Sequence, residues 1–253
     1  MTLTAPSPPS QGLNPTGLIV ILCLGSAALL GQQDWPGLTF VFVMSGWILA
    51  VGVHEFCHAW VAWRGGDYSV VDKGYLNFDI RRYGNLQTTL IFPLLVLALG
   101  GIGFPGGAVY LREDLMRGRL WRSAASLAGP VGSLLVLLGL SGALALWPPP
   151  PQQAALTNAI SFLAFLQATA VVLNLLPIPG LDGYGVIRPF LPVQVQASLR
   201  RLEPFLLPLM LIVIFLVPQA TQVIFSLADI LARAAGLALP PVVQGWHAFQ
   251  FWK

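Results

Sequence analysis

Charge is what this sequence has least of. Only 9% of its 253 residues are Asp, Glu, Lys or Arg, against about 25% in soluble domains, which excludes a water-facing globular surface over most of the chain. The net excess of +3 is too small to indicate a nucleic-acid partner, and basic residues here report topology instead. Cysteine is nearly missing: Cys23 and Cys57 both fall deep in apolar runs, which excludes a disulfide framework. No basic residue occurs in 1–16, so that Pro- and Ser-rich stretch is expected to be a disordered leader, not a cleaved secretory signal. There is no polar insertion long enough for a soluble module, and no internal repeat.

What fills the chain is apolar. Hydrophobic residues make up 56% of it, in several runs close to or above the ~18–20 residues a bilayer-spanning helix needs. The expected fold is an all-α polytopic membrane protein with about five transmembrane helices, one re-entrant segment and a small β-hairpin at the membrane surface. One domain covers 17–235, with its core at 37–201, and 236–253 forms an interfacial tail carrying Trp246, Phe249, Phe251 and Trp252. Spanning helices are expected near 13–31, 38–63, 123–147, 154–176 and 204–217, the last continuing as an amphipathic stretch to about 235. Between them, Val70-Val71 and 75–80 have β-type composition around the turn Asp72-Lys73-Gly74, hence the hairpin, whose edge would hold an extended substrate. The run 86–103 is interrupted by Pro93 and closed by Gly100-Gly101, too short to span, hence the re-entrant reading.

The chain is organised around VGVHEFCHAWVAW at 51–63. His54 and His58, two of only three histidines, are four apart and share one helix face, so both imidazoles can reach one metal ion. Glu55 is then placed as general base on water at that ion. A carboxylate and two imidazoles at membrane depth cost several kcal/mol, by order of magnitude, unless paired or bound to metal. Cys57 lies off the direction the histidines share and is given a packing role. A catalytic zinc takes three protein ligands and leaves one position open. Asp182 and Asp229 are the acids that could supply the third. Asp182 is favoured because it follows Pro177 and Pro179, which break a helix end and leave a carboxylate free to be aimed, whereas Asp229 and Arg233, four apart, suit a surface ion pair.

His54-Glu55-Phe56-Cys57-His58, followed by Asn174-x-x-Pro177-x-Pro179-x-x-Asp182-Gly183, resembles the site-2 protease family of intramembrane zinc metalloproteases, in its short form without a PDZ domain. Ala128-Gly129-Pro130 resembles that family's small-residue helix motif, and the resemblance runs over about 37–201. It implies one catalytic Zn2+ held by His54, His58 and Asp182, Glu55 as the catalytic base, and Asn174 holding the substrate strand or the oxyanion. It also implies single-span membrane proteins as substrates, cut in or near their transmembrane segments. Three departures bear on substrate contacts rather than on metal or base: Ser133 stands where the family often has asparagine, 79–82 reads Asp-Ile-Arg-Arg where similar relatives often carry a histidine, and 103–109 lacks the usual lysine and repeated prolines.

Two other classes compete. A metal transporter is disfavoured by Glu55 beside a ligand and by the missing repeat, and an inactive scaffold by the intact set of His54, Glu55, His58 and Asp182. Topology follows from the shared ion. Were 86–103 to cross the bilayer, Asp182 would end up ~30 Å from the histidines, so the segment must return to the face it left. Every basic residue from Arg64 to Arg201 is expected on that face, leaving only Arg233 and Lys253 elsewhere, which places the N-terminus and the active site towards the cytoplasm of a multi-pass membrane protein.

Overall fold

The structure is a computed structural model and describes residues 15–33, 35, 37–83 and 109–252. The expected re-entrant run at 86–103 lies outside the described residues. Described elements are helical throughout: α1 (Thr16–Leu30), α2 (Leu38–Gly65), the single turn α3 (Ser69–Asp72), α4 (Arg119–Leu146), α5 (Ala154–Asn174), α6 (Asp182–Ile187), α7 (Val193–Leu216), α8 (Pro218–Ala234) and α9 (Leu239–Phe249), with short 3-10 turns between.

Three of these are long and apolar enough to cross a membrane: α2, α4, and Pro151–Asn174, which is α5 with its preceding turn. The pair Pro208–Leu216 and Pro218–Ala234, bent by 94° at Val217, makes a fourth if taken as one span. The expected five is therefore three to four among the described residues. The difference lies in α1, whose 15 residues rise only ~22 Å, short of the ~30 Å hydrocarbon core.

The core is an alternation of α1, α2, α4 and α5. Two ends can be defined. At one, the Thr16 hydroxyl donates to the Phe78 carbonyl (2.7 Å), tying the start of α1 to the segment after α2, and the Arg117 N–H donates to the Gly65 carbonyl (2.9 Å), so the end of α2 meets the approach to α4. At the other, Gly31 after α1 packs beside Gln153 before α5. Helix α2 holds the middle because the left-handed glycines Gly37 (φ 90°) and Gly66 (φ 114°) bound it and because it is buried around most of its circumference. Since lipid is as apolar as leucine, close packing rather than water exclusion holds such helices together, and small residues permit it. A methyl group at Gly245 of α9 would lie 2.2 Å from the Asn158 carbonyl of α5, so these two backbones are nearly in contact.

That contact draws the 239–249 helix onto the bundle. Phe249 is fully buried, stacked on Phe40 (5.2 Å between ring centres) and tilted against Phe162 (5.4 Å), while Phe251 and Trp252 stay half exposed.

Among the described residues there is no hairpin. Residues 67–83 fold as α3 and the 3-10 turns Tyr75–Asn77 and Ile80–Arg82. Their N–H groups close local bonds, Val71 to Tyr68 (3.1 Å), Gly74 to Val71 (2.9 Å), Asn77 to Gly74 (3.2 Å), in place of a cross-strand ladder. The alternation that read as a strand is Leu76, Phe78 and Ile80 against Asn77 and Asp79, whereas the fully buried apolar residues here, Val70, Tyr75, Ile80 and Tyr83, do not follow a period of two. Asp67, wholly buried, fastens this segment: its carboxylate accepts from the N–H and hydroxyl of Ser69 and from the N–H of Arg112 (2.7 Å). At the far side of the segment, the Arg81 guanidinium beside Asp79 holds that carboxyl below its ordinary range.

Candidate metal centre

The ligand candidates arrive on two kinds of backbone. His54 and His58 lie one turn apart in the second half of α2, both buried. Asp182 opens α6, after the loop that Pro177 and Pro179 force at the end of α5. The chain then turns tightly: a methyl group at Gly183 would lie 2.3 Å from the Leu175 carbonyl, so only glycine lets α6 fold back against the end of α5.

The three side chains converge. His54 Nε2 is 3.1 Å from His58 Nε2 and 3.1 Å from Asp182 Oδ2, and His58 Nε2 is 3.3 Å from Asp182 Oδ1. All the offered donor atoms lie within 4.8 Å of one another. A tetrahedral ion with bonds of ~2.0–2.1 Å sets its donor atoms ~3.3 Å apart, so the spacing suits zinc. The outer nitrogens agree. His58 Nδ1 lies 2.6 Å from the Ala125 carbonyl, which can only accept, so the proton sits on Nδ1 and leaves the Nε2 lone pair facing inward. His54 Nδ1 lies 3.0 Å from the Ser133 hydroxyl. Two imidazoles and a carboxylate, aimed at one point and steadied from behind, fit a zinc ion.

Helix α4 forms the wall. Pro130 sits inside it, and Gly129 faces the histidines so closely that a methyl group there would stand 2.1 Å from His58 Nε2 and 2.5 Å from His54 Nε2. A side chain there would fill the space the two Nε2 atoms face, and its absence keeps that space clear. Gly132 one turn on packs against Cys57, whose thiol is free and apart from the His54–His58–Asp182 group, as its packing role requires.

Glu55 is 1% exposed, and its Oε2 accepts the Val109 N–H (3.1 Å). Asn174 is buried at the last position of α5, on the far side of the loop from Asp182. Asp229 is not part of the group: it pairs with Arg233 (2.9 Å) on α8, as its spacing suggested.

Sequence reasoning missed three contributions, all from α4. It assigned Ser133 to substrate contacts, whereas the hydroxyl is on His54. It did not anticipate the Ala125 carbonyl on His58 or the clearance at Gly129. A signal was available: Ala125, Gly129 and Ser133 are small residues four apart, matching two histidines four apart on the helix they face.

Comparison with known proteins follows the same line. The chain is 41% identical over 217 residues to the "Putative zinc metalloprotease Rip2" of Mycolicibacterium smegmatis, covering 85% of this chain and 82% of that one. It is 40% identical over 243 residues to the protein of the same name from Mycobacterium tuberculosis, covering 94% and 92%. Bacillus subtilis "Putative zinc metalloprotease YwhC" is 27% identical over 189 residues, 72% of this chain and 83% of its own. No family model matches the chain, and no solved structure matches it. With relatives this similar along nearly its whole length, and with the paired motifs brought to one point in space, the chain belongs to the site-2 protease family of zinc metalloproteases.

Proposed function

We propose that the chain is an intramembrane zinc endopeptidase that hydrolyses peptide bonds in or near the transmembrane segments of single-span membrane proteins. The observation that carries this is the convergence of His54 Nε2, His58 Nε2 and the Asp182 carboxylate within 4.8 Å, beside a buried carboxylate, Glu55, that is not needed as a ligand. A transporter needs the ligands but has no use for that extra base.

His54, His58 and Asp182 hold one zinc ion, which when bound supplies Lewis acidity for a scissile carbonyl and for water. Glu55 takes the proton from the attacking water and delivers it to the leaving amine. Its Oε2 is fixed by the Val109 N–H (3.1 Å), which leaves Oε1 for the proton. Burial of the site excludes bulk water and sharpens both charges. A transmembrane helix hides its peptide bonds in its own hydrogen bonding, so a substrate must unwind before it is cut. The Asn174 carboxamide, at the end of α5, holds the unwound strand or the oxyanion. The domain is the stretch 17–235.

The active site faces the cytoplasm. Lys73, Arg64, Arg112, Arg117, Arg119 and Arg122 gather at the end of the bundle where α2 stops and α4 starts, the pattern of a cytoplasmic face. Single cysteines replacing Asp72 and Arg119, in a background lacking Cys23 and Cys57, are expected to label only from the cytoplasmic side, and one replacing Gln152 only from the other. Labelling of positions 72 and 119 from opposite sides would sink this orientation.

The function itself is tested by purifying the chain, Asp182→Ala and Asp229→Ala, then measuring zinc content and cleavage of a reconstituted single-span substrate. Wild type and Asp229→Ala should carry one zinc per chain and cleave; Asp182→Ala should do neither. Metal content that follows Asp229, or cleavage that survives chelation, contradicts the proposal.

A further inference from the structure

Helices α2 and α4 run antiparallel through the metal centre with matched steps. Going along α4, Ala125, Gly129 and Ser133 are one turn apart; going back along α2, so are His58 and His54. The Ala125 carbonyl meets His58 Nδ1 at 2.6 Å, Gly129 lies against both Nε2 atoms, and the Ser133 hydroxyl meets His54 Nδ1 at 3.0 Å. The two histidines are therefore steadied by different chemistry. A carbonyl only accepts, so the backbone alone dictates that His58 carries its proton on Nδ1. A hydroxyl accepts or donates, so for His54 the outcome depends on a side chain.

We propose that Ser133 is a positioning residue of the metal centre: its hydroxyl accepts the Nδ1–H of His54 and holds that ring with the Nε2 lone pair turned towards His58 Nε2 and Asp182. The proposal rests on the metal-centre reading above. Two observations make the hydroxyl matter. Ser133 is 3% exposed, so water does not stand in for it when it is removed. His54 Nε2 is also only 3.1 Å from Asp182 Oδ2, so a ring that loses its partner on Nδ1 has a competing arrangement available. It can move its proton to Nε2 and donate to that carboxylate. Both inward atoms would then be occupied with each other instead of with the ion. Ser133 favours the open arrangement over this closed one, and acts on the ion only through His54.

The test uses the purified full-length chain and two substitutions, Ser133→Ala and the near-isosteric Ser133→Cys, whose sulfur is a weak acceptor. Zinc affinity is measured by competition with a chelator, the absorption bands of the cobalt-substituted protein report ligand geometry, and the melting temperature of the metal-free protein reports packing. Ser141→Ala, a buried hydroxyl farther along the same helix, is the control. Both Ser133 variants are expected to bind zinc about 10–100-fold more weakly, with shifted cobalt bands and an unchanged metal-free melting temperature, and Ser141→Ala to match wild type. Unchanged affinity and spectrum in both variants overturns the proposal, as does a loss of affinity matched by an equal loss of metal-free stability. Wild-type protein that binds no zinc removes the metal-centre reading and this proposal with it. A chain that binds zinc in a Ser133-dependent way yet cleaves nothing removes only the proteolytic reading.

Discussion

Gly129→Ala is expected to abolish tight zinc binding while leaving the helix bundle assembled. The added carbon would stand 2.1 Å from His58 Nε2, 2.5 Å from His54 Nε2 and 2.5 Å from His58 Cε1, distances no methyl group tolerates. Relief is hard to find. The rings are held from behind by the Ala125 carbonyl and the Ser133 hydroxyl, and α4 is locked against Cys57 through Gly132. The rings must therefore rotate, which breaks both outer hydrogen bonds and turns both lone pairs away. Affinity should fall by more than the ~10–100-fold that losing one such bond costs. Gly139→Ala, on the same helix with nothing within 4 Å of the added carbon, is the matched control. It should keep the metal and gain about 0.5–1 kcal/mol of helix stability. Chelator competition on both proteins decides it, and a Gly129→Ala protein that binds zinc like wild type would show that α4 does not wall the site.

How much of this was readable beforehand depends on the kind of residue. The convergence of His54, His58 and Asp182 was legible because ionisable groups inside apolar runs have few explanations, and because prolines at 177 and 179 announce a broken helix end. The long helices were legible for the same reason that the membrane was: long uninterrupted runs of apolar residues. Local geometry was not. Leu76, Phe78 and Ile80 alternate with Asn77 and Asp79 as a strand would, yet Leu76 and Ile80 fall in two separate 3-10 turns. Here the pattern of hydrogen bonds, not the alternation, distinguishes turn from strand. The wall of the site was invisible for a different reason. Ala125, Gly129 and Ser133 act through a carbonyl, an absence and a hydroxyl, and none of these carries a chemical signature until the facing helix is in place.

The central claim is that Glu55 is the base of a hydrolytic zinc site, and Glu55→Gln separates chemistry from structure there. The carboxamide oxygen of glutamine can still accept the Val109 N–H that Glu55 Oε2 accepts at 3.1 Å, and the side chain is the same size, so packing at this 1%-exposed position is kept. His54, His58 and Asp182 are untouched. What disappears is the ability to take a proton from water. Loss of general-base catalysis lowers rates by about 10²–10⁴-fold. The direct measurement is zinc content and cleavage rate in the same purified sample, wild type against Glu55→Gln, with a reconstituted single-span substrate. The expected result is one zinc per chain in both proteins and a cleavage rate at least about 100-fold lower in the variant. Cleavage at the wild-type rate, or loss of zinc and fold together with activity, would contradict the assignment of Glu55 as the catalytic base.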